Sequence, residues 1–197
     1  AEQEPQDYSF KMRMIIGDML EAVLITLIKA SGIEVKNIHK KVELQNEDIN
    51  IKGEFDIELS DGIYDIKTVS PYAFDNKFNT DNAFESIKSS DTFGYVSQGY
   101  GYSEAAKVPF KGWIAINKST GQIAFAEASD NKKERKEVLD ALKKTHSTIT
   151  TGKPFKRCFT DTQETYYSKP TGNRVLGFEC SYCSYKKPCW GDLQFKR

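Results

Sequence analysis

The chain has 197 residues, with 28 acidic and 28 basic side chains and a hydrophobic content of 39%. This composition is that of an ordinary globular protein, and the length allows one well-buried core but is too short for two ordinary domains. We therefore expect one compact domain overall, with a small appendage.

A membrane span needs about 18 consecutive apolar residues, and no stretch of the sequence meets this requirement. The nearest candidate, MIIGDMLEAVLITLI, is interrupted by Asp18 and Glu21 and predicts a buried helix instead. We also find no signal-peptide pattern. These features predict a cytoplasmic protein with no membrane partner.

The net charge of zero argues against a nucleic-acid partner, but the charge is unevenly distributed. Residues 151–197 hold nine Lys and Arg against four Asp and Glu, a net charge of +5, which leaves residues 1–150 at −5. The same segment holds nine of the 24 aromatic residues. Basic charge among aromatic rings suits a phosphate backbone and its bases. A solvated tail with a small aromatic core explains this composition equally well.

The predicted elements begin with a helix from Lys11 to Ala30, where apolar residues recur at helical spacing. Residues 33–46 predict a strand, and 49–59 with 63–69 predict a hairpin that Pro71 ends. The hairpin is followed by a mixed loop and helix region at 72–92, a helix at 92–106, two strands within 110–128, a helix at 132–149 and a cysteine-bearing tail at 151–197. This order predicts an α/β fold, a central mixed sheet flanked by helices.

The hairpin carries an unusual number of carboxylates. Its turn signal, Asp61-Gly62, predicts antiparallel strands that pair outward from Ser60 opposite Ile63. This register places Glu58 opposite Asp65 and Asp56 opposite Lys67, with all four side chains on one face. Because like charges opposite one another destabilise a sheet, we expect a compensating group, and a divalent cation would serve.

The hairpin and its surroundings resemble the PD-(D/E)XK nuclease superfamily. Gly53 and Asp56, followed by Asp65-Ile66-Lys67, resemble its signature of an acid and then acid-x-lysine on a second strand. Three further features resemble its RecB-like branch: Glu21 on a preceding helix, a Gln-x-x-x-Tyr motif, and a C-terminal cysteine cluster. The resemblance implies a restriction-endonuclease-like core over residues 1–150, with residues 151–197 forming a cysteine-rich tail packed on it.

The resemblance also implies a catalytic metal. Mg²⁺ or Mn²⁺ prefers hard oxygen ligands and retains several waters. Asp56 and Asp65 are the expected ligands, with the Ile66 carbonyl as a third by analogy with the family. Glu21, on the helix, would complete or extend the site.

Other side chains receive roles beside the metal. Lys67 is expected to hold the attacking water and stabilise developing charge. Gln98 and Tyr102, which lie one helical turn apart, are expected to position the nucleic-acid strand or the ligands of the site. Glu58 has no fixed role in the family pattern, so we assign it a supporting position behind the ligands. The two histidines, His39 and His146, match no motif and are interpreted as structural or exposed.

Each motif also has a purely structural interpretation. Asp65 and Lys67 can belong to a cross-strand charge ladder on the surface, and Gln98 with Tyr102 can belong to ordinary helix packing. Glu21 is harder to explain in this way, because an unpaired buried carboxylate is energetically expensive.

Four cysteines, Cys158, Cys180, Cys183 and Cys189, lie in the last 40 residues. They would complete a tetrathiolate site for zinc or an iron–sulfur cluster, and disulfides are the alternative. The trio in ECSYCSYKKPCW resembles the end of the iron–sulfur nucleases of the AddB and CRISPR-adaptation type, which favours [4Fe-4S] over Zn²⁺. In those nucleases the fourth cysteine precedes the core, whereas Cys158 follows it. Either metal group would clamp the tail to the core.

The resemblance implies a Mg²⁺- or Mn²⁺-dependent deoxyribonuclease, an exonuclease acting on DNA ends or single strands in phage-type replication or recombination. The tail TGNRVLGFECSYCSYKKPCW resembles those of many bacteriophage-encoded nucleases, which would place the protein in a bacterial cytoplasm. A structure-selective or nicking endonuclease is an alternative within enzymes. A metal-stabilised nucleic-acid-binding module without catalysis is an alternative from another class. An oligomer is compatible with the sequence, although nothing in it indicates one.

Overall fold

The structure, a computed structural model, describes residues 7–46, 49–129, 131–152 and 156–191. These residues divide into two compact units. One unit comprises those within 14–153, and the other comprises those within 1–13 and 154–197. No helix in the described ranges is long and apolar enough to cross a bilayer. The predicted packing of the tail on the core stays a prediction.

The larger unit is an α/β fold around a five-stranded mixed sheet, which confirms the predicted fold class at this level. The strands lie in chain order, and every pair is antiparallel except β3 with β4. A parallel pair needs a crossover, which the helices between β3 and β4 provide. The elements up to residue 150 are α1 Tyr8–Ala30, β1 Val35–Asn46, β2 Ile49–Leu59, β3 Gly62–Val69, α2 Pro71–Ala73, a π-helical turn Phe74–Phe78, α3 Ala83–Ser89, α4 Tyr95–Ala106, β4 Phe110–Asn117, β5 Ile123–Glu127 and α5 Lys132–Thr150.

The smaller unit contains a hairpin that the sequence analysis did not predict. It comprises β6 Thr162–Tyr166 and β7 Lys169–Val175, and two short helices follow, α6 Phe178–Ser181 and α7 Lys186–Trp190. Its strand residues are mostly exposed, so they lack the apolar alternation from which strands are recognised.

Two hydrophobic layers cover the faces of the sheet. The layer against α3, α4 and α5 contains the fully buried Phe55 and Trp113. The layer against α1 is smaller. It consists of Leu24, Ile25 and Ile28 from the helix and Ile57, Ile66 and Ile116 from the sheet. The two layers hold the central strands on both faces.

The prediction that α1 is a buried helix was wrong for most of its length. Only Leu24, Ile25 and Ile28 are buried, whereas Met19 is 63% exposed. A single helix can place one face on a sheet, so the apolar residues around the rest of α1 remain at the surface. The exposed apolar residues are Met14, Ile15, Ile16, Met19, Val23 and Leu27.

The predicted register of the β2–β3 hairpin was wrong by two residues. The observed pairs are Leu59 with Gly62, Glu58 with Ile63, and Ile57 with Tyr64. The predicted opposition of Glu58 to Asp65, and of Asp56 to Lys67, is therefore absent.

The shift follows from the role of Gly62. This glycine does not form the turn but begins β3, and the two loop residues are Ser60 and Asp61. A Cβ at Gly62, whose φ is +155°, would lie 2.5 Å from the Pro109 carbonyl oxygen. The adjacent Ile63 N–H donates to this same oxygen at 2.8 Å. Gly62 is thus required by a close backbone approach and not by the turn.

Two glycines of α4 provide a matched test of this packing. A Cβ at Gly99 would overlap the Phe110 ring, whereas one at Gly101 would meet Leu142 Cδ2 at an ordinary 3.6 Å. We expect Gly99→Ala to lower the free energy of unfolding by roughly 1–3 kcal/mol. Gly101→Ala should raise it by up to about 1 kcal/mol, because alanine favours helix. Urea denaturation measures both, and equal effects would contradict the packing of α4 on β4.

Candidate active site

His39 and Asp56 lie opposite each other in the β1–β2 register but do not form a regular pair. The β1–β2 pairs run from Ile38–Ile57 to Lys40–Phe55 and pass over these two residues. His39 has a φ of +49°. In a regular strand Phe55 and Ile57 would share a face, yet they lie in the opposite hydrophobic layers. The irregularity therefore turns β2 over at Asp56.

Asp56 bonds to the neighbouring strand through its side chain. The Ile66 N–H donates to Asp56 Oδ2 at 2.6 Å. The β2–β3 pairs end at Ile57 with Tyr64, whereas β3 pairs with β4 in parallel from Ile63 to Val69. The carboxylate thus takes the position of a strand carbonyl where β2 separates from β3. This gap in the sheet is the centre of the candidate site.

Asp65 and Lys67 face this gap as an ion pair. Asp65 is 2% exposed, and Lys67 Nζ lies 2.6 Å from its Oδ2. The contact is close but poorly directed for a hydrogen bond. Lys67 also donates to Gln98 Oε1 at 3.3 Å, and its ammonium lies 4.9 Å from the centre of the Tyr95 ring. Three groups on two elements thereby fix the position of the lysine.

The predicted Gln-x-x-x-Tyr motif lies on α4 beside this lysine. Gln98 Nε2 donates to the Tyr102 hydroxyl at 2.9 Å, so the two side chains act as one unit. The Tyr102 ring packs edge-on against Phe55, with ring centres 6.4 Å apart. A Cβ at Gly53 would lie 2.7 Å from the Tyr102 ring. Gly53, which precedes Asp56 in the hairpin signature, therefore leaves space for the Tyr102 ring.

Glu21 joins the site from α1. Its side chain is 18% exposed, and its Oε1 accepts no hydrogen bond from the residues that the structure describes. His39 lies nearby, with Nε2 at 3.4 Å from Glu21 Oε1 and Nδ1 at 3.6 Å from Glu54 Oε1. The unpaired position in the β1–β2 register thus places a histidine as well as an aspartate at the candidate site.

The carboxylates of the site hold their protons more tightly than usual. Burial is the main cause of a Glu21 pKa raised to about 7, and the Asp56 carboxylate raises it further. Burial likewise raises the pKa of Asp65 to about 6, against the opposing effect of Lys67. The pKa of Asp56 is raised by burial, although the Ile66 N–H and Lys67 partly oppose this.

Lys67 stays protonated in these surroundings. Burial alone lowers the pKa of an ammonium group, but the Asp65 and Asp56 carboxylates outweigh it and the pKa is raised. The site therefore combines one retained positive charge with three carboxyl groups that are costly to ionise.

Glu58 does not belong to this cluster. It is buried in a separate arrangement, where Asn37 Nδ2 donates to its Oε2 at 2.6 Å and Lys40 Nζ lies 4.0 Å from the same atom. The register shift in the hairpin explains why its expected position beside Asp65 was wrong.

The donor chemistry fits a hard divalent cation, although the side chains do not converge on one point. Within the described ranges, no three His, Cys, Asp or Glu side chains form a group that could hold a metal ion. Asp56 is directed at the Ile66 N–H and Asp65 at Lys67. The unbonded Glu21 Oε1 and the desolvated carboxylates are nevertheless oxygen donors of the kind that Mg²⁺ and Mn²⁺ prefer.

Sequence reasoning missed three side chains of this site. His39 was interpreted as structural or exposed, and Glu54 and Tyr95 were not considered. Pairing residues 33–46 with 49–59 in antiparallel register would have placed His39 beside Asp56. No sequence signal indicates that the Tyr95 ring faces Lys67.

The four cysteines lie within the smaller unit as free thiols, with Cys180 buried and the others exposed. Burial raises the pKa of the Cys180 thiol, and the neighbouring Cys183 and Cys189 raise it further. Arg157, the residue before Cys158, donates to the Cys189 carbonyl at 3.1 Å and lies 3.9 Å from the centre of the Trp190 ring. The cysteine-bearing segments are thus neighbours, yet they do not form a recognisable metal group.

Comparisons with known proteins add nothing to this geometry. No protein-family model and no curated protein sequence matches the chain. The resemblance to PD-(D/E)XK nucleases therefore depends on the motif residues and their arrangement alone.

The raised pKa of Glu21 predicts a stability that falls with pH in the metal-free protein. A carboxyl group whose pKa is higher in the folded than in the unfolded state destabilises the folded state when it ionises. For Glu21 this loss of stability begins as the pH rises above 4.5 and is complete above about 7. Glu21→Gln should therefore raise Tm relative to the unmodified protein, by more at pH 8 than at pH 5. Because this side chain keeps some contact with solvent, we expect about 1 kcal/mol, or roughly 2–4 °C.

The matched control is Glu104→Gln, since hydrogen bonding from Lys107 lowers the pKa of that carboxyl group. Glu104→Gln should lower Tm slightly at neutral pH, and this effect should vanish as the pH falls. A Glu21→Gln effect that does not grow with pH would contradict the electrostatic description of the site.

Proposed function

We propose that this protein is a Mg²⁺- or Mn²⁺-dependent nuclease that hydrolyses phosphodiester bonds in DNA, acting as an exonuclease on ends or single strands. The observation that carries the proposal is the gap between β2 and β3, where Asp56 and Asp65 face one retained lysine charge and Glu21, from α1, lies near enough to these two carboxylates to feel their charge. An arrangement so costly to ionise is expected where function requires it. A surface charge ladder, the structural alternative, does not fit an Asp65 that is 2% exposed.

Glu21, Asp56, Asp65 and the Ile66 carbonyl are the groups that would hold the cation. When bound, it would supply positive charge to neutralise the phosphate and lower the pKa of water. The carboxylates must ionise to bind it, and their raised pKa values mean that binding strengthens as the pH rises from about 6 to 8.

Lys67 is suited to the chemical step, the attack of water on phosphorus with departure of the leaving oxygen. Its ammonium remains charged, so its Nζ donors can hold the attacking water or stabilise charge that develops on the phosphate. Asp65, Gln98 and the Tyr95 ring restrict its position before substrate arrives. Such preorganisation reduces the cost of orienting the group during reaction.

Gln98 and Tyr102 connect this lysine to the surface on which a strand would lie. Because Gln98 bonds both Lys67 and the Tyr102 hydroxyl, a strand held by the tyrosine would be held in fixed relation to the lysine. The family resemblance assigns the same motif to strand positioning.

The exonuclease assignment depends on the family resemblance. A compact member of this branch usually handles single strands or ends, and sequence-specific cleavage would require an added recognition module.

We propose a structural role for the cysteines, as ligands of a [4Fe-4S] cluster in preference to Zn²⁺. Thiol chemistry and the proximity of Cys180, Cys183 and Cys189 support this. The Tyr185 N–H, 3.4 Å from Cys183 Sγ, is a donor of the kind that tunes such clusters. The cluster would hold together a short segment in which most of the described residues are exposed.

A cleavage time course on end-labelled linear DNA and on closed circles, each single- or double-stranded, tests the proposal. Activity should require Mg²⁺ or Mn²⁺, disappear in EDTA and proceed from ends. Asp65→Ala and Lys67→Ala should each lower the rate by about 10²-fold or more, because the first removes a ligand of the cation and the second removes positive charge at the reacting phosphate.

Asp61→Ala and Lys111→Ala are the matched controls, since these residues form an exposed acid–lysine pair, with Lys111 Nζ 3.9 Å from Asp61 Oδ2, away from the gap. Both should leave the rate unchanged. Cleavage of circles would identify an endonuclease, and DNA binding without cleavage by the unmodified protein would favour the non-catalytic binding module.

A further inference from the structure

A cavity of about 310 Å³ lies beside the candidate active site, between the β1–β2 pair, α4 and α5. Gln98 and Tyr102 form part of its wall. The same two side chains are hydrogen-bonded to each other, and Gln98 accepts a hydrogen bond from Lys67. The cavity and the candidate active site therefore share these two side chains and lie next to each other.

Much of the cavity wall is apolar. Val42, Leu44 and Leu142 supply aliphatic surface, and Gly101 presents backbone without a side chain. Apolar surface of this kind suits the faces of a flat ring system. The volume is at the lower end of that of small-molecule sites, which corresponds to a single ring-bearing group.

The remaining lining groups supply one aromatic ring and one positive charge. Phe93 lies in the wall, where it is 57% exposed, and its ring centre lies 5.9 Å from that of Tyr95, so the two rings form an aromatic surface that a base can extend by stacking. Lys52 is the one charged side chain among the described residues that line the cavity. An aromatic surface with a single cation suits a nucleotide, whose base is apolar on its faces and whose phosphate carries charge.

We propose that this cavity binds one nucleobase of a single-stranded DNA substrate, next to the phosphate that lies at Lys67. The inference deepens the nuclease proposal and rests on it. Bases in a duplex are stacked and paired, so a base can enter the cavity only from a single strand or a frayed end. The cavity therefore selects single-stranded substrate.

Fluorescence anisotropy in EDTA, where cleavage does not interfere, tests the inference with two probes. One is an oligothymidylate of about twelve nucleotides, and the other is an abasic strand with the same number of phosphates. The unmodified protein should bind the oligothymidylate at least about fivefold more tightly, as expected for stacking of one base.

Two variants should remove this preference without weakening binding of the abasic strand. Gly101→Leu adds a side chain within the cavity, and Phe93→Ala removes the stacking ring. Their matched controls are Gly101→Ala, whose Cβ meets only ordinary contact, and Phe125→Ala, which removes a ring of similar exposure, 51%, on β5 at the opposite edge of the sheet. Both controls should keep the preference. If Gly101→Leu fails to fold, Phe93→Ala decides the test.

The outcomes separate this inference from the nuclease proposal. Retention of the base preference in Phe93→Ala and a folded Gly101→Leu would overturn the base site, even if the protein cleaves DNA. Loss of the preference in a protein that does not cleave would support the base site while overturning the nuclease proposal. An unmodified protein that binds both probes equally would overturn the base site directly.

Discussion

The hydrogen bond from the Ile66 N–H to Asp56 Oδ2, 2.6 Å long, is the interaction on which the rest of the site depends. A buried N–H must find an acceptor, and here a side chain supplies it where the neighbouring strand turns away. The sheet can therefore open between β2 and β3 without leaving an unsatisfied backbone donor. Because β3 continues in parallel pairing with β4, the strand that carries Asp65 and Lys67 stays rigid on one side of the opening.

The opening concentrates charge at a place where solvent cannot fully stabilise it. Burial raises the pKa of Glu21 and Asp65, and this increase is only partly opposed, by His39 at Glu21 and by Lys67 at Asp65. A protein selected for stability alone would replace these groups by apolar side chains, since buried ion pairs are weak sources of stability. The unfavourable electrostatics is consistent with a site that gains its stability only when a cation and a phosphate are bound.

The α/β order could be predicted from local periodicity, and the candidate site residues from the resemblance of Asp-x-Lys on a strand and Gln-x-x-x-Tyr on a helix to a family signature. The hairpin register could not be predicted, since it depends on the contact of Gly62 with Pro109, a residue 47 positions away. The place of His39 opposite Asp56 follows from the antiparallel pairing of β1 with β2, but its positive φ and its contacts with Glu21 and Glu54 do not. The exposed face of α1 was missed because helical periodicity shows which residues are apolar, but not how many of them a neighbouring sheet will cover.

Direct measurement of Mn²⁺ binding tests the central claim, that the opening at Asp56 is a divalent-cation site. Free Mn²⁺ is followed by electron paramagnetic resonance as it is titrated into the unmodified protein and into Asp56→Asn, whose amide oxygen can still accept from the Ile66 N–H. We expect saturable binding in the unmodified protein at pH 8, and at least about tenfold weaker binding in the variant, because one charged ligand is lost. Equal binding by the two proteins, or no saturable binding by either, would contradict the account.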